Sequence, residues 1–165
     1  MQPDRVRRLL FIAGGVGINP LYGMIRQLHR GAGQRAAVRA ILLYSACAVE
    51  ELVFRAELDE MALAKDIESA KGSIGGGVTE TGLMLRSIYT ATRSDQGRTA
   101  ESTVRSGRIN GHTIGEAIAW LTTGSHSTAL DGVYVCGPPG MAEEMVDLCA
   151  QHNVPPEKIQ FESWW

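Results

Sequence analysis

The sequence predicts an α/β fold: a doubly wound, mostly parallel sheet of about five strands with helices on both faces, spanning residues 1–165 as one domain. Three observations predict it. Short apolar, partly β-branched runs alternate along the chain with longer stretches of helical periodicity, the rhythm of strands joined by crossover helices. Glycine and proline clusters punctuate the boundaries between them. A length of 165 residues is enough for one sizeable core and too little for two full domains.

The elements follow in order. Arg8–Ala13 is the first strand, stopped by Gly14-Gly15-Val16-Gly17. A helix then starts at Ile18-Asn19-Pro20, with Asn19 as its expected cap and Pro20 suited to a first turn that needs no N–H. It runs to about Arg30, where Gly31 and Gly33 close it. Arg39–Tyr44 is the second strand, and Glu50–Ala64 places Leu52, Val53, Ala56, Leu58 and Met61 at helical spacing. The glycine-rich stretch Lys71–Gly82 reads as loop, and Leu83–Arg93 as a third strand. Ser94–Gly111 is polar and without period. Thr113 is placed to cap a short helix through Ile114, Ala117, Ile118 and Leu121. Gly132–Cys136 is the fourth strand, Met141–His152 the last helix, and Lys158–Phe161 a fifth strand before Ser163-Trp164-Trp165.

Composition narrows the function. A formal charge of −2, with 44% hydrophobic and 21% charged residues, provides no basic field for nucleic acid. The longest apolar runs, Leu9–Ala13 and Ala40–Tyr44, fall far short of the roughly 20 residues that span a bilayer. The opening Met1-Gln2-Pro3-Asp4-Arg5 lacks an apolar signal core and is too brief for a transit peptide. Cys47, Cys136 and Cys149 show no C-x-x-C spacing, which argues against both a disulfide framework and a zinc site. Of the scattered histidines only His152 lies three positions from a cysteine, and that pair reads as a surface imidazole beside a buried thiol.

Two loops carry chemistry. In an open parallel sheet ligands sit beyond the carboxyl ends of the strands, near the point where strand order reverses. Gly14-Gly15-Val16-Gly17-Ile18-Asn19-Pro20 gives pliable backbone after a strand and then a helix N-terminus, a seat for a pyrophosphate. Formally it is G-x-G-x-x-P, with Pro20 in the place of a third glycine, and no acidic residue for a ribose is evident roughly 20 positions on. The second loop, Tyr134-Val135-Cys136-Gly137-Pro138-Pro139-Gly140-Met141, turns sharply at the end of a strand and is expected to set Cys136 toward the crevice.

Together with the ending Phe161-Glu162-Ser163-Trp164-Trp165, these segments resemble the nucleotide-binding half of the ferredoxin-NADP reductase family. The family pattern is a G-G-x-G-I-x-P loop, a tyrosine ending the second strand, a C-G-P-x-x-M turn and an aromatic carboxyl terminus. The sequence supplies Gly14, Gly15, Gly17, Ile18 and Pro20, then Tyr44, then Cys136, Gly137, Pro138 and Met141, in that order. The F-E-x-W-W ending, with N-V-P-x-x-x-I before it, narrows the resemblance to one member.

The resemblance implies a Rossmann-like domain that binds NAD(P)H and meets an FAD held by a flavin-binding domain elsewhere in the full-length protein. It implies that the loop Gly14, Gly15, Val16, Gly17, Ile18, Asn19, Pro20 holds the pyrophosphate, and that Cys136, with Gly137, Pro138 and Met141, lies beside the nicotinamide. Glu162 and Trp164 correspond to a carboxylate near the flavin and an aromatic that covers it, although Trp165 departs from the plant-type ending. Thr92 and Arg93 fall where family members contact the adenine ribose or its 2′-phosphate, with Arg108 as a second contact and Ser45 as a further cofactor-binding position; an arginine fork suits a 2′-phosphate. A mitochondrial setting is implied in the same way, and the electron acceptor is left open.

The family's flavin-holding R-x-Y-[ST] motif and barrel do not occur in this sequence, so flavin chemistry is not expected from this chain alone. A non-catalytic nucleotide-binding or sensing module of the same fold is the alternative. A dehydrogenase of the Y-x-x-x-K type is excluded, since the residues four after Tyr22, Tyr44, Tyr89 and Tyr134 are Arg26, Ala48, Arg93 and Pro138. A P-loop is excluded because none of Lys65, Lys71 and Lys158 follows a glycine.

Overall fold

The computed structural model describes residues 6–31, 37–71, 82–93, 103–125 and 127–163, with side chains 64–71 and 163 left aside. Strand β1 (Arg7–Gly14) leads through a short 3-10 turn into helix α1 (Ile18–Arg30) and strand β2 (Val38–Ala46). Helix α2 (Arg55–Lys71), strand β3 (Leu83–Ala91), strand β4 (Val104–Ser106) and helix α3 (Gly111–Thr122) follow. Strand β5 (Gly132–Gly137), helix α4 (Pro139–Gln151) and strand β6 (Ile159–Ser163) complete the chain. The sheet is parallel throughout, in the order β4-β3-β2-β1-β5-β6.

The doubly wound expectation is met, with six strands rather than about five. The additional strand, β4, lies within the stretch that showed no periodicity, because three residues are too few to display one. Alternation along each central strand builds two cores. Leu9, Phe11, Ala13, Ala40, Leu42 and Tyr44 pack with Ile18, Leu21 and Ile25 of α1 and Leu58 of α2. Leu10, Ile12, Ile41, Leu43, Val133 and Val135 pack with Ile114, Ala117 and Leu121 of α3 and Ala142, Met145 and Cys149 of α4. Strands covered on both sides must be apolar on both sides, which is why β1 and β2 read as nearly continuous apolar runs.

Several boundaries differ from the sequence expectation by a residue or two, and three helix starts differ for a reason the structure makes plain. The start of α1 is flanked by Gly17, and Asn19 lies inside its first turn, where its amide nitrogen donates to the Val16 carbonyl at 3.0 Å. Asn110, not Thr113, caps α3: its side-chain oxygen accepts from the Thr113 N–H at 3.0 Å and from the Thr113 hydroxyl at 3.2 Å. Helix α2 begins at Arg55 rather than Glu50. Val49–Glu51 is a separate 3-10 turn, and Phe54, with φ at 61°, breaks the path between the two. The Phe54 ring stacks on Tyr22 of α1, centroids 4.1 Å apart, an aromatic contact that offsets part of the cost of a left-handed backbone.

From β1 the chain steps outward through β2, β3 and β4, then α3 carries it back to β5 on the other side of β1. The loops after β1 and β5 therefore diverge, one to α1 on one face and the other to α4 on the opposite face, and open the crevice that an α/β sheet offers to a ligand. Among the described residues no helix is long and apolar enough to cross a membrane, and no group of three or more His, Cys, Asp or Glu is arranged to hold a metal ion.

Candidate functional site

The two loops singled out in the sequence meet in this crevice and interlock. After β1 the chain makes one 3-10 turn, Gly15–Gly17, with Gly15 at φ +52° and Val16 58% exposed. No side chain caps the start of α1, so the oxygens of an anion can take that place. On the other side, β5 runs out at Gly137, Pro138 flanks α4, and the Pro138 carbonyl accepts from the N–H groups of Met141 and Ala142 at 3.0 and 3.1 Å.

Contact between the loops explains the glycines. A methyl group on Gly17 would overlap the carbonyl of Cys136, and one on Gly14 would overlap the Met141 sulfur. A Cβ on Gly137 would lie 3.0 Å from the Met141 Sδ and 3.4 Å from the Gly14 nitrogen. Gly14 and Gly17 are thus glycines because the second loop is there, and the partly buried Met141 side chain fills the space beside Gly14 and Gly137.

Cys136 lies one residue before the end of β5, and its side chain is 1% exposed and belongs to the core on the α1 side instead of opening to the crevice. There it belongs to the apolar cluster that includes Ile18 and Leu21 of α1 and Ala13 of β1. Glu162 of β6 is the register partner of Cys136 and is exposed, so the residue expected beside a nicotinamide and the carboxylate expected near a flavin lie on adjacent strands. Trp164 lies outside the described residues.

The remaining sequence-derived residues line the same carboxyl edge. Ser45, half-buried, is in register with Gly14 on one side and Thr90 on the other. Thr92 and Arg93 form an exposed turn after β3 that is tied to the end of β2, Thr92 N–H to the Ala46 carbonyl at 3.2 Å and Arg93 N–H to the Cys47 carbonyl at 2.7 Å. Arg108, also exposed, follows Gly107, whose N–H donates to the Ala91 carbonyl at 2.9 Å. Loops from five strands are thereby gathered along one edge.

One acidic residue at this edge escaped sequence reasoning. The Glu51 carboxylate accepts from the Cys47 N–H at 3.2 Å, and the Tyr44 hydroxyl donates to the Glu51 carbonyl at 3.1 Å. Burial holds the Tyr44 phenol neutral beyond its ordinary range, and the Glu51 charge adds to the effect while the Val53 amide opposes it. The pair His152 and Cys149 serves the fold. Burial pushes the Cys149 thiol up to about 11, and the His152 ring, half-buried, bonds through Nε2 to the Gly111 carbonyl at 2.8 Å, joining α4 to the start of α3.

Comparison with known proteins rests on this geometry. The structure superposes on the cytochrome b5 reductase domain of Ulva prolifera nitrate reductase with a TM-score of 0.68 and 19% identity, covering 96% of this chain and 49% of that one. It superposes on a ferredoxin NADP+ reductase from Neisseria gonorrhoeae with a TM-score of 0.63 and 18% identity, covering 96% and 56%. This is the NAD-binding-domain fold of the ferredoxin reductases.

Residues 11–71 match the family model of the oxidoreductase NAD-binding domain. Over 173 residues the chain is 30% identical to oxidoreductase NAD-binding domain-containing protein 1 of Bos taurus, covering 98% of this chain and 47% of that protein. The Xenopus laevis protein of the same name is 31% identical over 166 residues, covering 95% and 45%. The resemblance read from the loops is borne out, and the chain spans about half the length of the curated relatives it matches.

Proposed function

We propose that the chain is the nicotinamide-dinucleotide-binding half of a flavin-dependent NAD(P)H oxidoreductase, in which hydride passes between NAD(P)H and an FAD held chiefly by another domain of the same protein. The observation that carries this reading is the interlock of the Gly14–Pro20 loop with the Cys136–Met141 loop at the β1–β5 crevice. A seat for an anion and a turn for a flat ring are set against each other there. The Neisseria gonorrhoeae neighbour is described with bound FAD and NADP, which supports the choice of cofactors.

In this reading the turn before α1 holds the pyrophosphate, and Ser45, Thr92, Arg93 and Arg108 take the adenosine end. Gly137, Pro138 and Met141 shape the floor for the nicotinamide, with Cys136 beside it and Glu162 and Trp164 toward the flavin. The bound nicotinamide supplies the hydride chemistry; the residues of this chain orient it and keep the ring against the turn. The buried Cys136 thiol favours a second reading, a nucleotide-binding module without turnover.

Two measurements test these readings. Calorimetric titration of this chain with NADH, NADPH and ADP-ribose is expected to show binding, and no binding by any of them at millimolar concentration would overturn the assignment. Absorbance of the full-length protein then separates the alternatives: a reductase carries a flavin that NAD(P)H bleaches, whereas a binding module takes up nucleotide with no bleaching.

A further inference from the structure

The structure sets a carboxylate at the carboxyl end of β2, where the sequence offered none at the usual spacing. Glu51 ends a single 3-10 turn, Val49–Glu51, that follows the strand. Tyr44 draws the turn back through its hydroxyl, 3.1 Å from the Glu51 carbonyl, and the Cys47 N–H fixes Oε2 at 3.2 Å. The carbonyl of the same Cys47 accepts from the Arg93 N–H at 2.7 Å. Glu51 and the Thr92-Arg93 turn are therefore held on the two sides of one residue, and both are exposed at the edge where the adenosine end of a dinucleotide is placed.

We infer that Glu51 determines which dinucleotide the site takes, selecting one whose adenosine ribose carries a free 2′-hydroxyl. The inference rests on the reading given under the proposed function. A carboxylate is an acceptor only, with about four lone-pair sites on its two oxygens. The Cys47 N–H occupies one, and the others can accept from a ribose diol, as the acidic residue after the second strand does in dinucleotide-binding sheets. A 2′-phosphate in the same place would bring a charge of about −1.5 to −2 against the carboxylate. Arg93 pulls the other way, since a guanidinium suits a phosphate. Its backbone is tied, but its long exposed side chain must lose rotamer freedom to reach a ligand. Glu51 is anchored through both its carbonyl and its carboxylate, so its preference prevails.

Glu51→Gln removes the charge and keeps an oxygen able to accept from the Cys47 N–H, so the turn is preserved; a thermal melt beside the wild type checks this. Calorimetry on the full chain is expected to show NADH bound about tenfold more tightly than NADPH or better, and Glu51→Gln to narrow that ratio by about tenfold. Glu50→Gln, which neutralises the neighbouring exposed carboxylate, leaves the ratio unchanged. An unaltered ratio in Glu51→Gln, or tighter binding of NADPH by the wild type, overturns the inference and leaves the dinucleotide site standing. Failure of both proteins to bind NADH, NADPH or ADP-ribose overturns the site, and the inference with it.

Discussion

Gly17 sits so closely against the carbonyl of Cys136 that no side chain fits between them. The obstruction is backbone, not the end of a flexible side chain, so a methyl group there cannot be accommodated by a rotamer change. Gly17→Ala is expected to push the two loops apart, weakening dinucleotide binding at least about tenfold and costing about 1–3 kcal/mol of stability. Calorimetric titration and a denaturant melt of the variant measure both; native affinity in the variant would show that the interlock does not matter.

Gly23 should respond in the opposite direction. It lies within α1, and a Cβ there meets nothing within 4 Å. Gly23→Ala is therefore expected to stabilise the domain by about 0.5–1 kcal/mol, through helix propensity and a less flexible unfolded chain, with dinucleotide affinity unchanged. The denaturant midpoint reads this directly.

Met141 divides shape from chemistry. Its sulfur fills the space beside Gly14 and Gly137, so Met141→Ala removes the floor between the loops at a cost of about 2 kcal/mol, the low end for a side chain that is only partly buried. Met141→Leu, which conserves volume, should restore most of the stability and most of the binding. If leucine failed where methionine works, the sulfur itself would be implicated in place of the volume it fills.

The edge of the sheet responds to acid through Glu116. Hydrogen bonds from Arg105 at 2.7 and 2.9 Å hold its carboxyl below the ordinary carboxylate range, with the charges of Arg105 and Arg86 acting in the same direction and burial against them. A carboxyl with a lowered native value binds protons less readily folded than unfolded. Its stabilisation is complete above the unfolded value of 4.5 and is lost as the pH falls through the native one. Thermal melts from pH 7 down to about pH 3 should therefore show the wild type losing more stability than Glu116→Gln, and parallel curves would assign the acid sensitivity elsewhere.

Much of this was legible in the sequence because the signals are local. The glycine turn after β1, the proline turn after β5 and the apolar runs of the central strands each declare themselves within a few residues. What remained hidden depends on particular contacts, near and far along the chain, that no periodicity announces. Thr113 has the chemistry of a cap, yet Asn110, three positions earlier, takes that place and accepts from Thr113 itself. Leu52 and Val53 fit the helical period of α2, but Leu52 is buried ahead of the helix, and Phe54 turns left-handed to stack on Tyr22. Strand β4 exists because the end of β3 gives it a partner. Cys136 is a core residue because it joins the apolar cluster of α1 and the central strands, and Glu51 is set at the sheet edge by bonds to Tyr44 and Cys47 that no periodicity announces.

The pairing of β1 with β5 sets Ala13 beside Cys136, at nearly opposite ends of the chain. Closing so long a loop is entropically demanding and slow compared with local turns, so the crevice is completed only when the last third of the polypeptide docks. The stretch that matches the family model, residues 11–71, ends well before β5. An amino-terminal fragment could therefore carry the family's signature and still have no site, because half of the cradle is delivered last.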